Sequence, residues 1–143
     1  MNKINIIITG EDYDYGFNEL KAMDVNIFHY PMIYTLGVDI NIHPNIYNYI
    51  IFTSKNGVKY FLKNVSISIN SNVKFICIGK KTAEVLKSNN LNPDILVRRN
   101  YSKFMCNEIK NMGISKNNKL LLIQGNLAKK ELFECLSKSF EID

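Results

Sequence analysis

What this chain lacks narrows the field first. Tryptophan is absent, and 143 residues hold only three cysteines and two histidines. The missing tryptophan, beside abundant asparagine, reads as drift in base composition and carries no physical message. Cys77, Cys106 and Cys135 stand far apart, are odd in number and form no C-x-x-C pair. That spacing indicates neither a disulfide framework nor a zinc site, and a reducing cytoplasm is the simplest compartment. Cys77 falls in a strand run and Cys135 among helix-core positions, so both are expected to be small buried hydrophobes and not nucleophiles. His29 and His43 have no carboxylate or cysteine at ligand spacing and read as structural. Long hydrophobic runs are missing too. The opening MNKINIIIT has too few consecutive apolar residues for a secretory h-region or a bilayer span, so a soluble protein without a membrane partner is expected.

What is present suits a globular protein. Hydrophobic residues make up 46% of the chain, enough for a real core in one ordinary domain or two very small ones. The formal charge is +5 and the pI near 9.1, but lysine is spread along the chain with no basic block of the kind that marks a nucleic-acid arm. Such a surface suits any polyanion.

Three times an apolar run stops at a small or polar residue and a helical pattern starts at once: YIIFT-SKNGVKYFLK, VKFICIG-KKTAEVLK and KLLLIQG-NLAKKELFECL. That is the pattern of parallel strands feeding helices, an α/β fold with helices on both faces of the sheet, in which ligands collect at the carboxyl ends of the strands. Strands are expected at Lys3 to Thr9, Val25 to Tyr30, Tyr49 to Thr53, Val73 to Ile78, Asp94 to Val97 and Lys119 to Ile123. Helices are expected after the first strand to near Met23, after Ser54, from about Thr82, from Phe104 to Gly113, and from Leu127 to Ser139. Pro31 ends the second strand, the weak pattern from Met32 to Pro44 suits a linker, and Phe140 to Asp143 reads as a strand that does not arrive.

The junctions carry the chemistry. Unpaired N–H groups at a helix start, with the positive end of the helix dipole, make a site for carboxylate or phosphate. The first junction offers Thr53, Ser54, Lys55 and Asn56; Ser54 either caps its helix or meets a ligand. The second offers Gly79, Lys81 and Thr82, where Thr82 likewise either caps the helix or contacts the ligand. The third offers Gly125 and Asn126, with Asn126 as a cap. No junction holds a complete Walker P-loop or G-x-G-x-x-G, so ATP chemistry and a dinucleotide fold are not indicated. Glu11, Asp12 and Asp14 cluster after the first strand and are read as solvated, favouring a helix dipole.

Phe52-Thr53-Ser54-Lys55-Asn56-Gly57-Val58, Ile78-Gly79-Lys80-Lys81-Thr82-Ala83-Glu84-Val85-Leu86 with Pro93-Asp94, and Gln124-Gly125-Asn126-Leu127 with Leu132 and Leu136 together resemble the uroporphyrinogen-III synthase family. Tyr30-Pro31-Met32-Ile33 is similar to that family's short strand ending in P-x-I, and the resemblance runs over essentially the whole chain. It implies a lyase of tetrapyrrole and haem biosynthesis, which closes linear hydroxymethylbilane into uroporphyrinogen III and inverts the last pyrrole ring. It also implies two α/β lobes with the substrate in the cleft between them, and no metal or organic cofactor. The acetate and propionate arms of a linear tetrapyrrole match anion sites at helix starts. Residues 1–35 would then be part of a first lobe and 36–143 the second lobe.

The departures matter as well. Thr9 is followed by Gly10 where the family has Thr-Arg, and Gln124 and Asn126 stand where it commonly has Arg and Asp. The family's first lobe is completed by C-terminal sequence that also brings a tyrosine to the cleft, and neither precedes Asp143. Tyr47, Tyr49 and Tyr101 are not assigned its place. The expectation is a truncated member that is inactive or joined by a complementary C-terminal fragment, with uncovered apolar surface on its first two strands. The alternative from another class is a non-catalytic α/β module that binds an anion or nucleotide at the same helix starts.

Overall fold

The computed structural model describes residues 3–12, 17–66, 68–98 and 102–143. Asp14, the Arg99-Asn100 stretch and Tyr101 lie outside the described residues. The chain forms two compact units, Met1–Gly37 and Val38–Asp143.

In the first unit, β1 (Ile4–Ile8) and β2 (Val25–His29) form a parallel pair joined through the short helix α1 (Asn18–Lys21), in register from Ile4↔Val25 to Ile8↔His29. Ile8 is buried, while Ile4 and Ile7 are 68% and 65% exposed and Phe28 is also exposed, the uncovered apolar surface expected on these two strands. One four-residue helix cannot cover both faces of a two-stranded sheet. Glu11 does not serve a helix start. Its carboxylate accepts hydrogen bonds from the Thr35 N–H at 3.0 Å and the Thr35 hydroxyl at 2.6 Å, pinning the turn after β1 to the segment after β2. His29 Nε2 lies 2.8 Å from the Gly10 carbonyl oxygen, a structural contact at the same end of the pair.

The second unit is a five-stranded parallel sheet: β3 (Tyr49–Phe52), β4 (Lys74–Ile78), β5 (Ile95–Val97), β6 (Lys119–Ile123) and β7 (Glu141–Ile142), in spatial order β5-β4-β3-β6-β7. Its strands read as continuous apolar runs because both faces are covered and successive side chains alternate between them. Ile50, Phe52, Phe75, Cys77 and Leu121 pack against α2 (Lys55–Asn64) and α3 (Lys80–Ser88) through Val58, Phe61, Ala83 and Leu86. Ile51, Ile76, Ile78, Val97, Leu120 and Leu122 pack on the other face with α4 (Ser102–Lys110) and α5 (Glu131–Ser137) through Met105, Ile109, Leu132 and Leu136. Asp94 anchors the start of β5: its carboxylate accepts from the Phe75 N–H at 2.8 Å and its own N–H donates to the Phe75 carbonyl at 2.9 Å.

Three expectations are corrected in this unit. The last residues do pair, with Leu122 N–H donating to the Asp143 carbonyl at 2.8 Å and Asp143 N–H to the Leu120 carbonyl at 3.1 Å. Lys119 secures this edge through Glu141 and Asp143, each at 3.0 Å, and the Tyr47 hydroxyl donates to Asp143 at 3.0 Å. The Lys119 ammonium, helped by that hydroxyl, holds the Asp143 carboxyl below its usual range, while burial first and Asp143 second push the Tyr47 phenol up.

The last helix starts at Glu131 and not at Leu127. Residues 125–128 form a turn closed by Ala128 N–H to the Gly125 carbonyl at 3.0 Å, and Leu127 is 92% exposed. Leu132 and Leu136, four apart, are the buried residues of this helix, with Cys135 packed partly buried against the same core.

Cys106 and Cys135 are not free thiols. They form a disulfide between α4 and α5, with Cα atoms 6.2 Å apart. The sequence hides this pairing because 29 residues separate the two, and only the packing of both helices on one sheet face brings them together. Cys77 is the buried free thiol that was expected, and burial pushes its ionisation up to about 11, so it is a poor nucleophile.

Candidate anion-binding site

The carboxyl ends of β4, β3 and β6 lie side by side on one edge of the sheet, because the three strands are adjacent and parallel. At the end of β3 the chain turns through Thr53 and Ser54. Thr53 is tied to β6: its N–H and hydroxyl both donate to the Ile123 carbonyl, at 3.3 and 3.1 Å. Ser54 has extended backbone, and its Oγ accepts from the Gly57 N–H at 3.1 Å, which makes it the N-cap of α2. Gly57 belongs there for space, since a Cβ would stand 3.2 Å from Ile123 Cγ2. Ser54→Ala should therefore cost about 1 kcal/mol in chemical denaturation. A stability indistinguishable from the parent would show that the cap contributes nothing.

At the end of β4, Gly79 adopts φ 85° and ψ 147°, a conformation that side chains strongly disfavour. Its N–H donates to the Val97 carbonyl of β5 at 2.9 Å, and its carbonyl accepts from Ala83 N–H at 3.3 Å, opening α3. No side chain caps this helix. The N–H groups of Lys80, Lys81 and Thr82 are therefore left without partners inside the helix, at the positive end of its dipole. Gly79→Ala should cost about 1–3 kcal/mol through the forced φ. Unchanged thermal unfolding of that variant would mean that the turn relaxes without strain.

A cavity of about 560 Å³ opens at this point, lined by Thr53, Gly79, Lys80, Lys81 and Thr82, with Ile78 and Met105 as its apolar wall. Thr82 is only 4% exposed, although it lines this cavity. A buried hydroxyl lining a cavity beside a helix start is suited to donate to a carboxylate or phosphate oxygen, with two lysines adding positive charge. The cap role considered for Thr82 is not what the structure shows, since α3 has no side-chain cap.

The structure thus brings Thr53, Gly79, Lys81 and Thr82 into one cavity, with Ser54, Lys55 and Asn56 following directly along the first junction. Gly125 and Asn126 sit in the exposed turn after β6 and do not line the cavity; Asn126 is not a cap, because α5 begins with Lys130 at its N-cap position. Sequence reasoning missed Met105 as a cavity residue. Its helical spacing marked it only as core, and nothing along the chain ties it to the end of β4. Among the described residues no cluster of histidine, cysteine and carboxylate side chains could hold a metal ion, and no helix is long and apolar enough to cross a membrane.

Fold and site together define a class: a parallel α/β protein with an uncapped, lysine-flanked helix start at the carboxyl edge of its sheet. The chain belongs to the uroporphyrinogen-III synthase HemD family, whose family model matches residues 18–143. Solved structures agree on the fold. A native wild-type crystal structure of uroporphyrinogen III synthase from Thermus thermophilus is 15% identical with a TM-score of 0.56, matching 97% of this chain and 59% of that one. A second structure of the Thermus thermophilus synthase is 15% identical with a TM-score of 0.54, matching 98% of this chain and 60% of that one. The chain therefore spans about three fifths of the length of these synthases. No curated protein sequence matches it.

Proposed function

We propose that this chain acts in the uroporphyrinogen-III synthase reaction, a hydro-lyase step in which linear hydroxymethylbilane loses its hydroxyl and closes to uroporphyrinogen III with the last pyrrole ring inverted. The observation that carries this reading, beside family membership, is the cavity at α3, where the buried Thr82 and a helix start with no side-chain cap meet Lys80 and Lys81. A linear tetrapyrrole carries carboxylate arms on every ring, and each arm is a ligand for such a helix start. Binding several arms at once fixes the fold of the chain, so the two reacting ends meet in one geometry and not another. Thr82 and Lys81 hold one arm, with Gly79 allowing close backbone approach; Ser54, Lys55 and Asn56 serve the neighbouring junction, and Gly125 and Asn126 reach the far end of the substrate. No residue is assigned as the general acid, and the reaction as proposed uses no cofactor. Residues 1–35 belong to a first lobe that a further α/β segment, a complementary C-terminal fragment, would complete.

The test is a fluorescence assay for uroporphyrin isomers after addition of hydroxymethylbilane, to the chain alone and with such a fragment. Enrichment of the inverted isomer is expected; formation of the uninverted isomer alone in both cases sinks the enzyme claim. Binding of inorganic phosphate without any cyclisation would favour a non-catalytic anion-binding module instead. Thr82→Val, which keeps the shape and removes the hydroxyl, should lower kcat/KM about 10- to 100-fold, the range expected from losing a hydrogen bond to a charged group. Wild-type kinetics in that variant would remove Thr82 from the site.

A further inference from the structure

The Cys106–Cys135 bond has a neighbour that gives it a role beyond stability. Met105, directly before Cys106 on α4, forms the apolar wall of the α3 cavity with Ile78. Cys106 is fully buried, and its bond to Cys135 ties the turn of α4 that bears Met105 to α5. We propose that this cysteine pair is a positioning device whose redox state sets the apolar wall of the cavity. Oxidised, it holds Met105 against the ring of a carboxylated pyrrole while the α3 start takes one of its acidic arms; reduced, it lets α4 shift and the ring loses that contact. The inference rests on reading the cavity as a site for carboxylated pyrroles.

A thioether is well suited to this task, because methionine sulfur makes favourable contacts with aromatic rings and its flexible stem adapts to their edges. The cavity is two-sided, with N–H groups and lysines on one side and Ile78 with Met105 on the other, and a ring bearing acidic arms is two-sided in the same way. The oxidant is a low-molecular-weight disulfide of the glutathione class. Cys135, the less buried of the two, gives up its proton and attacks one glutathione sulfur, breaking that S–S bond and releasing a glutathione thiolate. Cys106, deprotonated in turn, attacks the Cys135 sulfur of the mixed disulfide, forms the protein bond and releases the second glutathione. Two electrons and two protons thereby pass from the cysteine pair to two glutathiones.

The test uses the full chain poised with oxidised glutathione or reduced with dithiothreitol, at a temperature where both forms remain folded. Calorimetry measures affinity for porphobilinogen, a monopyrrole with one acetate and one propionate arm, and NMR of labelled methionine methyl groups reports Met105, assigned with Met105→Leu. The reduced form is expected to bind about five-fold or more weakly, with a shifted Met105 signal. Met105→Ala should bind weakly in both states and lose the redox dependence, a result that a purely structural disulfide would not produce. Equal affinity in the two states overturns the proposal and leaves the cavity reading standing. An unchanged Met105 signal, or two free thiols by alkylation after oxidised glutathione, overturns it whatever the probe does. A shifted Met105 signal with binding in neither state supports the positioning role and overturns the cavity reading.

Discussion

Opening the Cys106–Cys135 bond, by Cys106→Ala together with Cys135→Ala, is expected to lower the unfolding free energy by about 3–4 kcal/mol, from the entropy of a loop closed across a separation of 29 residues. Native domains hold only about 5–15 kcal/mol in total, so this is a large share. The loop it closes contains β6 and links the two helices that cover one face of the sheet, so the bond shortens the search for the whole α4-β6-α5 segment. Alanine is the appropriate replacement at Cys106, because a serine hydroxyl there would be buried without a partner. In urea the midpoint should fall, and the slope should rise because the denatured chain without the crosslink is more expanded. Reduction of the parent with dithiothreitol should reproduce the shift without any substitution. A midpoint unchanged by both treatments would mean that the pair contributes nothing to the folded state.

Phe52→Ala is expected to cost about 3–5 kcal/mol, the range for truncating a buried phenylalanine. Phe52 is fully buried on the central strand, with β4 on one side and β6 on the other. Its ring meets Phe61 of α2 edge-on at 5.3 Å and stacks with Phe75 of β4 at 6.2 Å, so its removal takes away both aromatic partners at once. Phe52→Leu keeps most of the volume and should cost about 1 kcal/mol. The substitution also reaches the site, since Thr53 follows directly and lines the cavity. Ligand affinity should therefore fall in Phe52→Ala even at temperatures where it stays folded. An alanine variant as stable as the parent would show that the aromatic cluster is not what holds α2 to the sheet.

Much of this was legible along the chain. The strand runs, the stop after Ile78, the Ser54 cap and the apolar spacing of α2 and α3 involve residues within a few positions of one another, and the structure keeps all of them. The Gly79 turn could be read because only glycine accepts its backbone geometry cheaply. The start of the last helix was misread because an exposed Leu127 imitates a core position, and hydrophobicity alone does not tell which leucines find a partner. Ile4 and Ile7 show the same limit: isoleucine favours a strand, but burial requires a covering layer that a two-stranded pair does not provide.

By itself, the sequence determined the alternation of strand and helix, the three turns at the strand ends and the type of anion chemistry that a helix start can offer. These follow from hydrogen bonds and backbone preferences between near neighbours. The tertiary structure alone decided that β3 lies between β4 and β6, that Cys106 reaches Cys135, that Met105 faces the cavity and that the Gly125 turn does not. Each of those depends on contacts between segments far apart along the chain, and no local pattern records where such segments meet.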